Sequence, residues 1–454
     1  MSEWKKVKIG DICKIVKGTT GIASAEPGQY PLVVTAEERK TCSTYQFDCE
    51  AVCIPLVSSS GHGKKSLKNV HYQSGKFALG TILCAVIPNN PQELDARYLH
   101  QYLQFYKDII LVPLMKGAAN VSLSMKDIAA VEFPLPPIER QRELSNLFVS
   151  LQEKQKELSA EYEKQTDYAK LLRQNILQDA IEGKLTADWR KQNPVQKGNP
   201  DYDAEALFEQ IQKGEVSPSL QPASQFSATP SAGSNAARNA RSKTLAPITN
   251  EEKPFDIPAG WKWVRLGEIS DIVRGGSPRP AGDKTYYDGN IPFLKVADIT
   301  NSDEKELWTY TYTIKEAGLK KTRFVDKETL MLTNSGATLG IPKICMIATT
   351  FNDGIAAFLD IKNRITKDYL FYYLKSKTQW FLKEAAKGQG QPNLNTDIIS
   401  ATVLALPPLA EQEEIVNKIE TLLAKVTTLE NQIQDRKSLS DKLIFGIIKE
   451  NLEG

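Results

Sequence analysis

The stretch that decides the architecture runs from Pro136-Pro137-Ile138-Glu139-Arg140-Gln141 to Glu182-Gly183-Lys184-Leu185-Thr186. Between these ends, apolar residues recur at alternating steps of about four and three, which predicts a single helix with one narrow apolar stripe. The two prolines suit the first turn of a helix, and Gly183 suits its left-handed C-cap. At about 1.5 Å per residue, this helix would be about 65 Å long. So narrow a stripe on so long a helix calls for a partner helix of the same kind.

A matching stripe lies near the far end of the sequence, from Ile415 to Ile447, with one stutter near Arg436. We therefore predict that two helices, residues 138–186 and 408–450, pair as an antiparallel coiled coil. The residues expected to form the pairing surface are Leu144, Leu151, Leu158, Leu172 and Ile176 on the first helix and Ile415, Ile419, Leu422, Leu429 and Ile433 on the second.

The segments that precede the two helices are copies of one another. Their middles scarcely align, which indicates one scaffold that carries two different binding surfaces. The matches keep their order and nearly their spacing, so the repeat is secure. They pair Trp4-Lys5-Lys6-Val7-Lys8-Ile9-Gly10 with Trp261-Lys262-Trp263-Val264-Arg265-Leu266-Gly267, Tyr98-Leu99 with Tyr369-Leu370, Lys116-Gly117 with Lys387-Gly388, and Pro136-Pro137-Ile138 with Pro407-Pro408-Leu409.

The sequence thus predicts an α+β chain with two tandem globular domains of mixed α and β structure and two long helices. The expected boundaries are 1–137 for the first domain, 138–186 for the first long helix, 187–255 for a flexible linker, 256–407 for the second domain and 408–450 for the second long helix. Within the linker, Asp203 to Gly214 is a candidate short helix. An antiparallel pair would place the two domains at opposite ends of a rod and relate them by an approximate twofold axis. Duplex DNA also has local twofold symmetry, so both domains could bind one duplex in equivalent poses.

Composition excludes several classes of protein. The chain has 454 residues, 25% of them charged, a net charge of +2 and no run of eighteen apolar residues. The N-terminus lacks the apolar segment of a signal peptide, so we expect a cytoplasmic protein without membrane attachment.

Four of the six cysteines could form a zinc site together with His62 or His71. These four are Cys42, Cys49, Cys53 and Cys84. Reduced structural thiols are favoured because no C-x-x-C pair exists, so no metal site is expected.

Candidate DNA contacts lie in small, polar and basic loops. Amides and guanidinium groups read base edges, whereas lysines and hydroxyls mostly hold phosphates, although a solvated surface role is equally compatible with any single residue. The aromatic face of the helix predicted over 95–107 is expected to pack in the core rather than to stack on bases. The candidates are Lys17, Thr19, Thr20, Ser58, Ser60, His62, Lys64, Lys65, Lys116 and Asn120 in the first domain, and Arg274, Arg279, Lys284, Lys295, Asn334, Ser335, Thr338, Lys343, Lys387, Gln389, Gln391 and Asn393 in the second.

The repeat, with Trp-x-x-Val-x-Ile/Leu-Gly at each start and Pro-Pro-Ile/Leu-x-x-Gln before each long helix, resembles the specificity (S) subunits of type I restriction-modification systems, the HsdS family. The tail at 178–186 and the loop Asn334-Ser335-Gly336-Ala337-Thr338-Leu339-Gly340 are also similar to that family. The resemblance implies two target recognition domains, each reading half of a split DNA sequence. It also implies two DNA-adenine methyltransferase (M) subunits docked on the helices and a restriction (R) subunit for cleavage. The first domain departs from the family pattern after Gly18.

No catalytic motif accompanies this architecture, so we expect a non-enzymatic chain. The nearest string to a methyltransferase Asn/Asp-Pro-Pro-Tyr/Phe motif is Asn199-Pro200-Asp201-Tyr202, which lacks the second proline. A phosphate-binding loop and a nucleophile triad are likewise unsupported. No cofactor is expected on this chain; S-adenosylmethionine, ATP and Mg²⁺ would belong to partner subunits. The alternative function is a structural coiled-coil adaptor with two protein-binding domains and no DNA role.

Overall fold

The computed structural model describes residues 4–60, 63–118, 120–214, 245–385 and 393–453. The chain divides into two compact units. Unit 1 comprises residues 1–165 and 432–454, and unit 2 comprises residues 166–431, so each long helix contributes one part to each unit.

Unit 1 contains the first domain, which runs from β1 to β10, and parts of both long helices. Its strands are β1 Lys6–Lys8, β2 Cys13–Lys17, β3 Tyr30–Val33, β4 Lys40–Cys42, β5 Phe47–Asp48, β6 Ala51–Pro55, β7 His71–Gln73, β8 Lys76–Leu79, β9 Leu83–Pro88 and β10 Glu132–Pro134. Its helices are α1 Ile9–Ile12, α2 Ala96–Ile110, a 3₁₀ turn Val112–Leu114, α3 Met125–Ala129 and the first part of α4 Ile138–Ile181.

Two four-stranded sheets form the body of the first domain, in the orders β2-β9-β6-β7 and β4-β3-β8-β5. The strand β6 reads Ala-Val-Cys-Ile-Pro, and all five residues are buried because both faces of its sheet are covered. Val52 and Ile54 pack in a cluster with residues of α2, and Ala51 and Cys53 pack in a cluster with residues of the other sheet. The helix α2 begins after Asp95, whose carboxylate accepts hydrogen bonds from two backbone N–H groups of the first turn.

Unit 2 contains the second domain, which runs from β11 to β21. Its strands are β11 Lys262–Arg265, β12 Asp271–Arg274, β13 Tyr287–Leu294, β14 Glu306–Leu307, β15 Tyr312–Ile314, β16 Arg323–Val325, β17 Thr329–Thr333, β18 Pro342–Cys345, β19 Thr349–Phe351, β20 Ile355–Leu359 and β21 Val403–Leu406. The remaining helices are α5 Ala187–Gln192, α6 Ala204–Lys213, α7 Leu266–Ile269, α8 Val296–Thr300, α9 Glu316–Leu319, α10 Arg364–Ala385, α11 Thr396–Ala401 and α12 Leu409–Glu453, whose last part lies in unit 1.

The second domain repeats the first, with sheets in the orders β12-β20-β17-β18-β14 and β15-β13-β19-β16. The repeat extends to single hydrogen bonds. The hydroxyl of Tyr98 donates to the carbonyl of Pro134 at 2.9 Å, and that of Tyr369 donates to the carbonyl of Ala405 at 2.8 Å. Both tyrosines are buried, which confirms that this aromatic face packs in the core.

A second repeated bond joins each long helix to the short segment between it and the preceding strand. Gln141 donates to the carbonyl of Pro136 at 2.7 Å, and Gln412 donates to the carbonyl of Pro407 at 2.9 Å. Both glutamines are fully buried. The Pro-Pro-x-x-x-Gln pattern in the sequence therefore encodes a buried amide that fixes the start of each helix.

The two long helices run antiparallel within each unit. In unit 1, the guanidinium of Arg140 donates to Asn451 at 3.0 Å, and the hydroxyls of Tyr162 and Ser440 lie 2.8 Å apart. In unit 2, Ala169 and Ile176 form a buried cluster with Val426. There Arg173 also donates to Glu430, at 2.6 Å and 3.0 Å. The predicted fold class, two mixed α/β domains with paired antiparallel helices, is confirmed.

The pairing surface differs from the predicted stripe. Leu144 packs in the core of the first domain, and Ile415 and Ile419 pack in the core of the second. Leu172 and Leu429 are 43% and 48% exposed, so these two predictions are wrong. Periodicity alone cannot tell a helix partner from a domain core, because both bury one helical face. Of the other predicted residues, Ile176 is buried and Leu151, Leu158, Leu422 and Ile433 are half-buried.

The segment predicted as a flexible linker is folded over residues 187–214. The helix α6 lies where the sequence placed a candidate helix; Asp203 caps its start and Gly214 ends it with a left-handed conformation. Leu207 of this helix belongs to the core of unit 2. Residues 245–255 also contact the second domain, since Arg265 donates to the carbonyl of Ala246 at 2.8 Å. Residues 215–244 lie outside the described ranges.

Each of the six cysteines is a free thiol. Burial raises the pKa of the thiols of Cys13, Cys53, Cys84 and Cys345 above the ordinary value, as expected of structural thiols. Among the described residues, no group of three or more His, Cys, Asp or Glu could hold a metal ion. None of the helices in the described ranges is long and apolar enough to cross a membrane.

Candidate nucleic-acid interface

Three strand ends meet at one edge of the β2-β9-β6-β7 sheet in the first domain. Lys17, the last residue of β2, pairs with Cys84, and Pro55, the last residue of β6, pairs with Leu83 at the start of β9. The chain therefore leaves β2 and β6, and enters β9, at the same end of the sheet. We call this end the first loop edge. It carries the predicted residues Lys17, Thr19, Thr20, Ser58, Ser60, Lys64 and Lys65.

Hydrogen bonds within the loop after β6 fix its shape. The hydroxyl of Ser58 donates to the carbonyl of Lys64 at 2.5 Å and accepts from the backbone N–H of Ser66 at 3.2 Å. Ser60 and Ser66 join their hydroxyls at 2.7 Å. Lys64 and Lys65 are exposed. The serines thus hold the loop, while the two lysines remain available to an anion.

The predicted residues Lys116 and Asn120 join this edge through a hairpin. Lys116 and Ser122 exchange two backbone hydrogen bonds of 2.8 Å, and Ser58 donates to the carbonyl of Val121 at 3.0 Å. The side chain of Lys116 is 76% exposed and lies 3.2 Å from Asp127. Hydrogen bonds from Ser124 and Lys116 lower the pKa of the Asp127 carboxyl. Asp127 therefore stays ionised and steers Lys116 without removing it from solvent.

Gln46 determines the turn after β2, a role that the sequence did not reveal. Its amide donates to the carbonyl of Lys17 and accepts from the backbone N–H of Thr19, each at 3.0 Å. Thr20 is bound by its backbone to Leu79 and Thr81. Gln46 lies 27 residues from Thr19, so no local pattern could have identified it.

The second domain gathers its predicted residues at the equivalent edge. Arg274, the last residue of β12, pairs with Ala356, and Thr333, the last residue of β17, pairs with Ile355. We call this end the second loop edge. The backbone of Asn334 accepts from Leu394 at 2.7 Å, as that of Leu56 accepts from Leu123 at 2.9 Å in the first domain. Ser335 and Asn393 form an isolated bridge there, and Thr338 is exposed in the same loop.

Asp353 organises the basic residues of the second loop edge. Its carbonyl accepts from the guanidinium of Arg274 at 2.6 Å, and its carboxylate accepts from the hydroxyl of Ser277 at 2.6 Å. The guanidinium of Arg279 lies 3.8 Å from the same carboxylate and is 71% exposed. Arg274 and Arg279 are therefore close together and open to solvent. Asp353 was missed because an isolated acidic residue in a loop carries no sequence signal.

Lys343 is not a surface contact, which corrects the prediction. It is 1% exposed, and its ammonium donates to the carbonyls of Ser302, at 2.8 Å, and Glu304. Burial lowers the pKa of this ammonium. The lysine occupies a buried position of β18, where its hydrogen bonds fasten the 302–304 loop.

Asn334 is also buried, with 0% exposure, and neither atom of its side-chain amide has a partner in the described part of the chain. Its backbone ties the loop edge together, so a base contact would require the loop to open. Two lysines lie apart from the loop itself: Lys284 is exposed, and the ammonium of Lys295 lies 3.4 Å from the centre of the Tyr312 ring. The predicted residues His62, Lys387, Gln389 and Gln391 lie outside the described ranges.

The long helices expose large apolar side chains in both units. A solvent-facing apolar surface of this kind is typical of a site for a protein partner. In unit 1 these side chains are Val149, Leu439, Leu443 and Phe445, and in unit 2 they are Tyr168, Leu171, Leu172 and Leu429.

Sequence comparisons point to one family. A family model described as "Type I restriction modification DNA specificity domain" matches residues 1–165 and 258–436, more than half of the chain. The chain is similar over its full length to the type I restriction enzyme EcoDI specificity subunit of Escherichia coli, with 24% identity and 88% of that protein covered. The EcoEI specificity subunit of Escherichia coli is 24% identical over 58% of this chain, which covers 42% of that protein.

Two solved structures share the fold. The HsdS subunit from Thermoanaerobacter tengcongensis has a TM-score of 0.54 and 18% identity, with 100% of this chain and 97% of that chain covered. A chain from a study of complex assembly and conformational transition in a type I R-M system has a TM-score of 0.61 and 16% identity, with 100% and 98% covered.

Proposed function

The chain belongs to the type I restriction-modification DNA specificity family, and on that premise we propose that each of its domains reads one half of a bipartite, asymmetric DNA target. It is a specificity subunit, a non-catalytic role that its named relatives share.

The observation that carries the proposal is that the two domains hold equivalent loops with the same backbone hydrogen bond, while the side chains in those loops differ. In both domains, the loop after the third strand of the sheet is held by the same backbone hydrogen bond, from Leu123 to Leu56 and from Leu394 to Asn334. The loops themselves read Val57-Ser58-Ser59-Ser60 and Ser335-Gly336-Ala337-Thr338. Equivalent poses with different side chains support two half-sites of different sequence, since base readout depends on the side chains presented.

We assign the long helices two functions. Their length sets the spacing between the half-sites, and their exposed apolar side chains provide docking sites for two copies of a DNA-adenine methyltransferase subunit. A restriction subunit would join for cleavage. The chain itself needs no cofactor; S-adenosylmethionine, ATP and Mg²⁺ would serve the partner subunits.

Mapping methylated adenines in cells tests this proposal. Cells with the chain should methylate one split motif that cells without it leave unmodified. Thr338→Ala should change the bases accepted in one half of that motif and leave the other half intact. Lys327→Gln is the matched control, because Lys327 precedes β17 at the opposite end of the same sheet.

Loss of the chain without loss of any methylated motif would contradict the proposal. The adaptor alternative is tested in vitro with the assembled complex and duplex DNA. Affinity for the target should fall steeply with salt, and an unrelated duplex should bind more weakly. Binding indifferent to sequence and salt would favour an adaptor.

A further inference from the structure

We propose that an aromatic strip in the second domain, residues 308–312, binds the sugar-phosphate backbone of duplex DNA beside the bases that the second loop edge reads. This inference rests on the proposed DNA-reading function and deepens it. It assigns a contact to Trp308, Tyr310 and Tyr312, none of which belongs to the loops already described.

The strip is exposed to an unusual degree for its residue types. Trp308 is 60% exposed, Tyr310 is 45% exposed and Tyr312 is 40% exposed. Aromatic side chains of this size normally bury most of their surface, so a cluster of three in five residues marks a binding surface.

Two hydrogen bonds to a buried carboxylate hold the strip in place. The hydroxyl of Thr311 donates to one oxygen of Asp298 at 2.6 Å, and the backbone N–H of Lys295 donates to the other at 2.8 Å. Asp298 is 2% exposed. One buried carboxylate therefore joins the strip to the end of β13, so binding would not have to order a mobile segment.

The strip is continuous with the second loop edge. Lys295 follows β13, whose last residue, Leu294, accepts a backbone hydrogen bond from Asn352 at 2.9 Å. A Cβ atom on Gly354 would lie 2.6 Å from Val296 and 2.9 Å from Ser335, so these three residues are in close contact. The path from Ser335 through Gly354 and Val296 leads to Lys295, whose ammonium lies over the Tyr312 ring.

The chemistry of the strip favours a phosphate backbone over a protein partner. Each of its three aromatic side chains carries a hydrogen-bond donor, and none of these donors is bonded within the described part of the chain. Tyrosine hydroxyls, threonine hydroxyls and lysine ammonium groups are common donors to phosphate oxygens. The cation of Lys295 adds a positive charge at one end. A purely apolar interface would leave these donors buried and unpaired.

Binding of the assembled complex to duplex DNA at several salt concentrations tests the inference. The combined variant Trp308→Ala/Tyr310→Ala/Tyr312→Ala should bind both the target and an unrelated duplex more weakly, by the same factor of roughly ten to a hundred. The slope of log affinity against log salt should not change, since no charge is lost. Lys295→Gln should reduce that slope by about 0.9, the value for one phosphate contact. The methylated motif should be unchanged in all of these variants.

The matched control is Phe324→Ala. Phe324 is 55% exposed on β16, at the other edge of the same four-stranded sheet, and has no donor. It should bind as the unchanged protein does, and an equal loss in this control would overturn the inference. Wild-type affinity in the strip variants would refute the strip alone, provided that Thr338→Ala still alters the motif. If the strip variants lose the methyltransferase subunit instead, the strip is a protein-docking surface and the DNA assignment is wrong. Absence of any sequence-dependent binding by the unchanged protein would instead refute the proposed function.

Discussion

In unit 1 the first domain contacts the long helices through the amide of Gln101 and the ring of Phe105, whereas in unit 2 the second domain adds an ion pair to its apolar contacts with them. Gln101 donates to the carbonyl of Ser145 at 3.1 Å, and the rings of Phe105 and Phe445 lie 4.8 Å apart. In unit 2, the ammonium of Lys305 lies 2.6 Å from Glu420 and 3.1 Å from Asp368.

Counted from the matched Tyr98 and Tyr369, the residue equivalent to Gln101 is Tyr372, whose hydroxyl donates to Glu420 at 3.2 Å. Burial disfavours the charged form of Lys305, but its bonds to Glu420 and Asp368 outweigh that effect and raise the pKa of the ammonium. The repeat thus preserves where a domain is attached, while the chemistry of attachment has diverged. Four predictions test how far that divergence matters, beginning with the largest effect.

Breaking the apolar cluster between the helices should cost most. Ile176 is 5% exposed in unit 2, so Ile176→Asp would bury a charge and lower the free energy of unfolding of that unit by about 3 to 5 kcal/mol. Leu172→Asp, four residues away on an exposed position, should cost about 0.5 kcal/mol or less. Chemical denaturation followed by tryptophan fluorescence measures this, because every tryptophan except Trp4 lies in unit 2. Equal losses would show that both positions face the partner helix.

Glu411 should stabilise unit 2 in a way that its counterpart cannot stabilise unit 1. This carboxylate is 1% exposed and accepts from Trp261 at 2.7 Å, Thr186 at 2.7 Å and the guanidinium of Arg190. Glu411→Leu leaves these donors unpaired and should lower the free energy of unfolding by about 3 kcal/mol.

The matched control for Glu411 is Arg140→Leu, at the equivalent position before the repeated buried glutamine. Arg140 is 42% exposed, so its loss should cost about 0.5 kcal/mol or less. The same denaturation experiment applies to Glu411→Leu, and hydrogen exchange of the first domain applies to Arg140→Leu. A much smaller loss of unfolding free energy in Glu411→Leu would mean that the guanidinium of Arg190 turns to solvent instead of staying buried without its partner.

Acid should weaken the first domain more than the second, since all three histidines precede residue 101. Burial, and then the charge of Arg39, lower the pKa of His71 from 6.5 to about 4. Because the folded-state pKa lies below the unfolded one, the unfolded chain binds more protons in this window. Stability should therefore fall as the pH drops from about 6.5 to about 4, by about 2 to 3 kcal/mol.

Amide hydrogen exchange of β6 and β17 at several pH values compares the two domains directly. Protection should fall more in β6 than in β17. His71→Gln, which does not titrate, should remove most of that difference. Parallel loss in both strands would assign the acid response to carboxylates shared by the two domains.

The charged attachment of the second domain should be weak and sensitive to salt. The side chain of Glu420 is 44% exposed, so solvent screens its ion pair. Glu420→Gln should lower the stability of unit 2 by about 1 kcal/mol at low salt and by almost nothing near 1 M salt. Val149→Gln, the equivalent substitution in unit 1, should show no dependence on salt. A salt-independent Glu420→Gln effect would point to the Tyr372 hydrogen bond instead.

Much of this fold could be predicted from the sequence because it rests on local signals. The repeat, the two long helices and the buried tyrosines each follow from periodicity or from matched strings. The wrong predictions have one physical origin: the sequence does not reveal which part of the molecule an apolar helix face packs against. Leu144 and Leu172 look alike on a helical stripe, yet one packs in a domain core and the other faces solvent. Likewise, the apolar face of α6 was hidden in a segment of polar composition.

The candidate interface was only partly predictable for the same reason. A basic loop residue can be predicted to be exposed, as Arg274 and Lys116 are, but the residues that position it come from distant segments. Asp353, 79 residues beyond Arg274, holds that guanidinium, and Gln46 holds the turn at Lys17. Lys343 looked like a surface lysine because its sequence does not reveal the carbonyls that bury its ammonium.

The bonds from Tyr98 and Tyr369 end on main-chain carbonyls, and so do those from Gln141 and Gln412. A main-chain acceptor is supplied by any amino acid, so the strands at these positions are free to change their side chains. The donor and the acceptor of each tyrosine bond lie in the same domain, so each domain carries this bond within itself. Each glutamine bond in turn needs only a main-chain carbonyl ahead of the long helix, whatever side chain that residue bears.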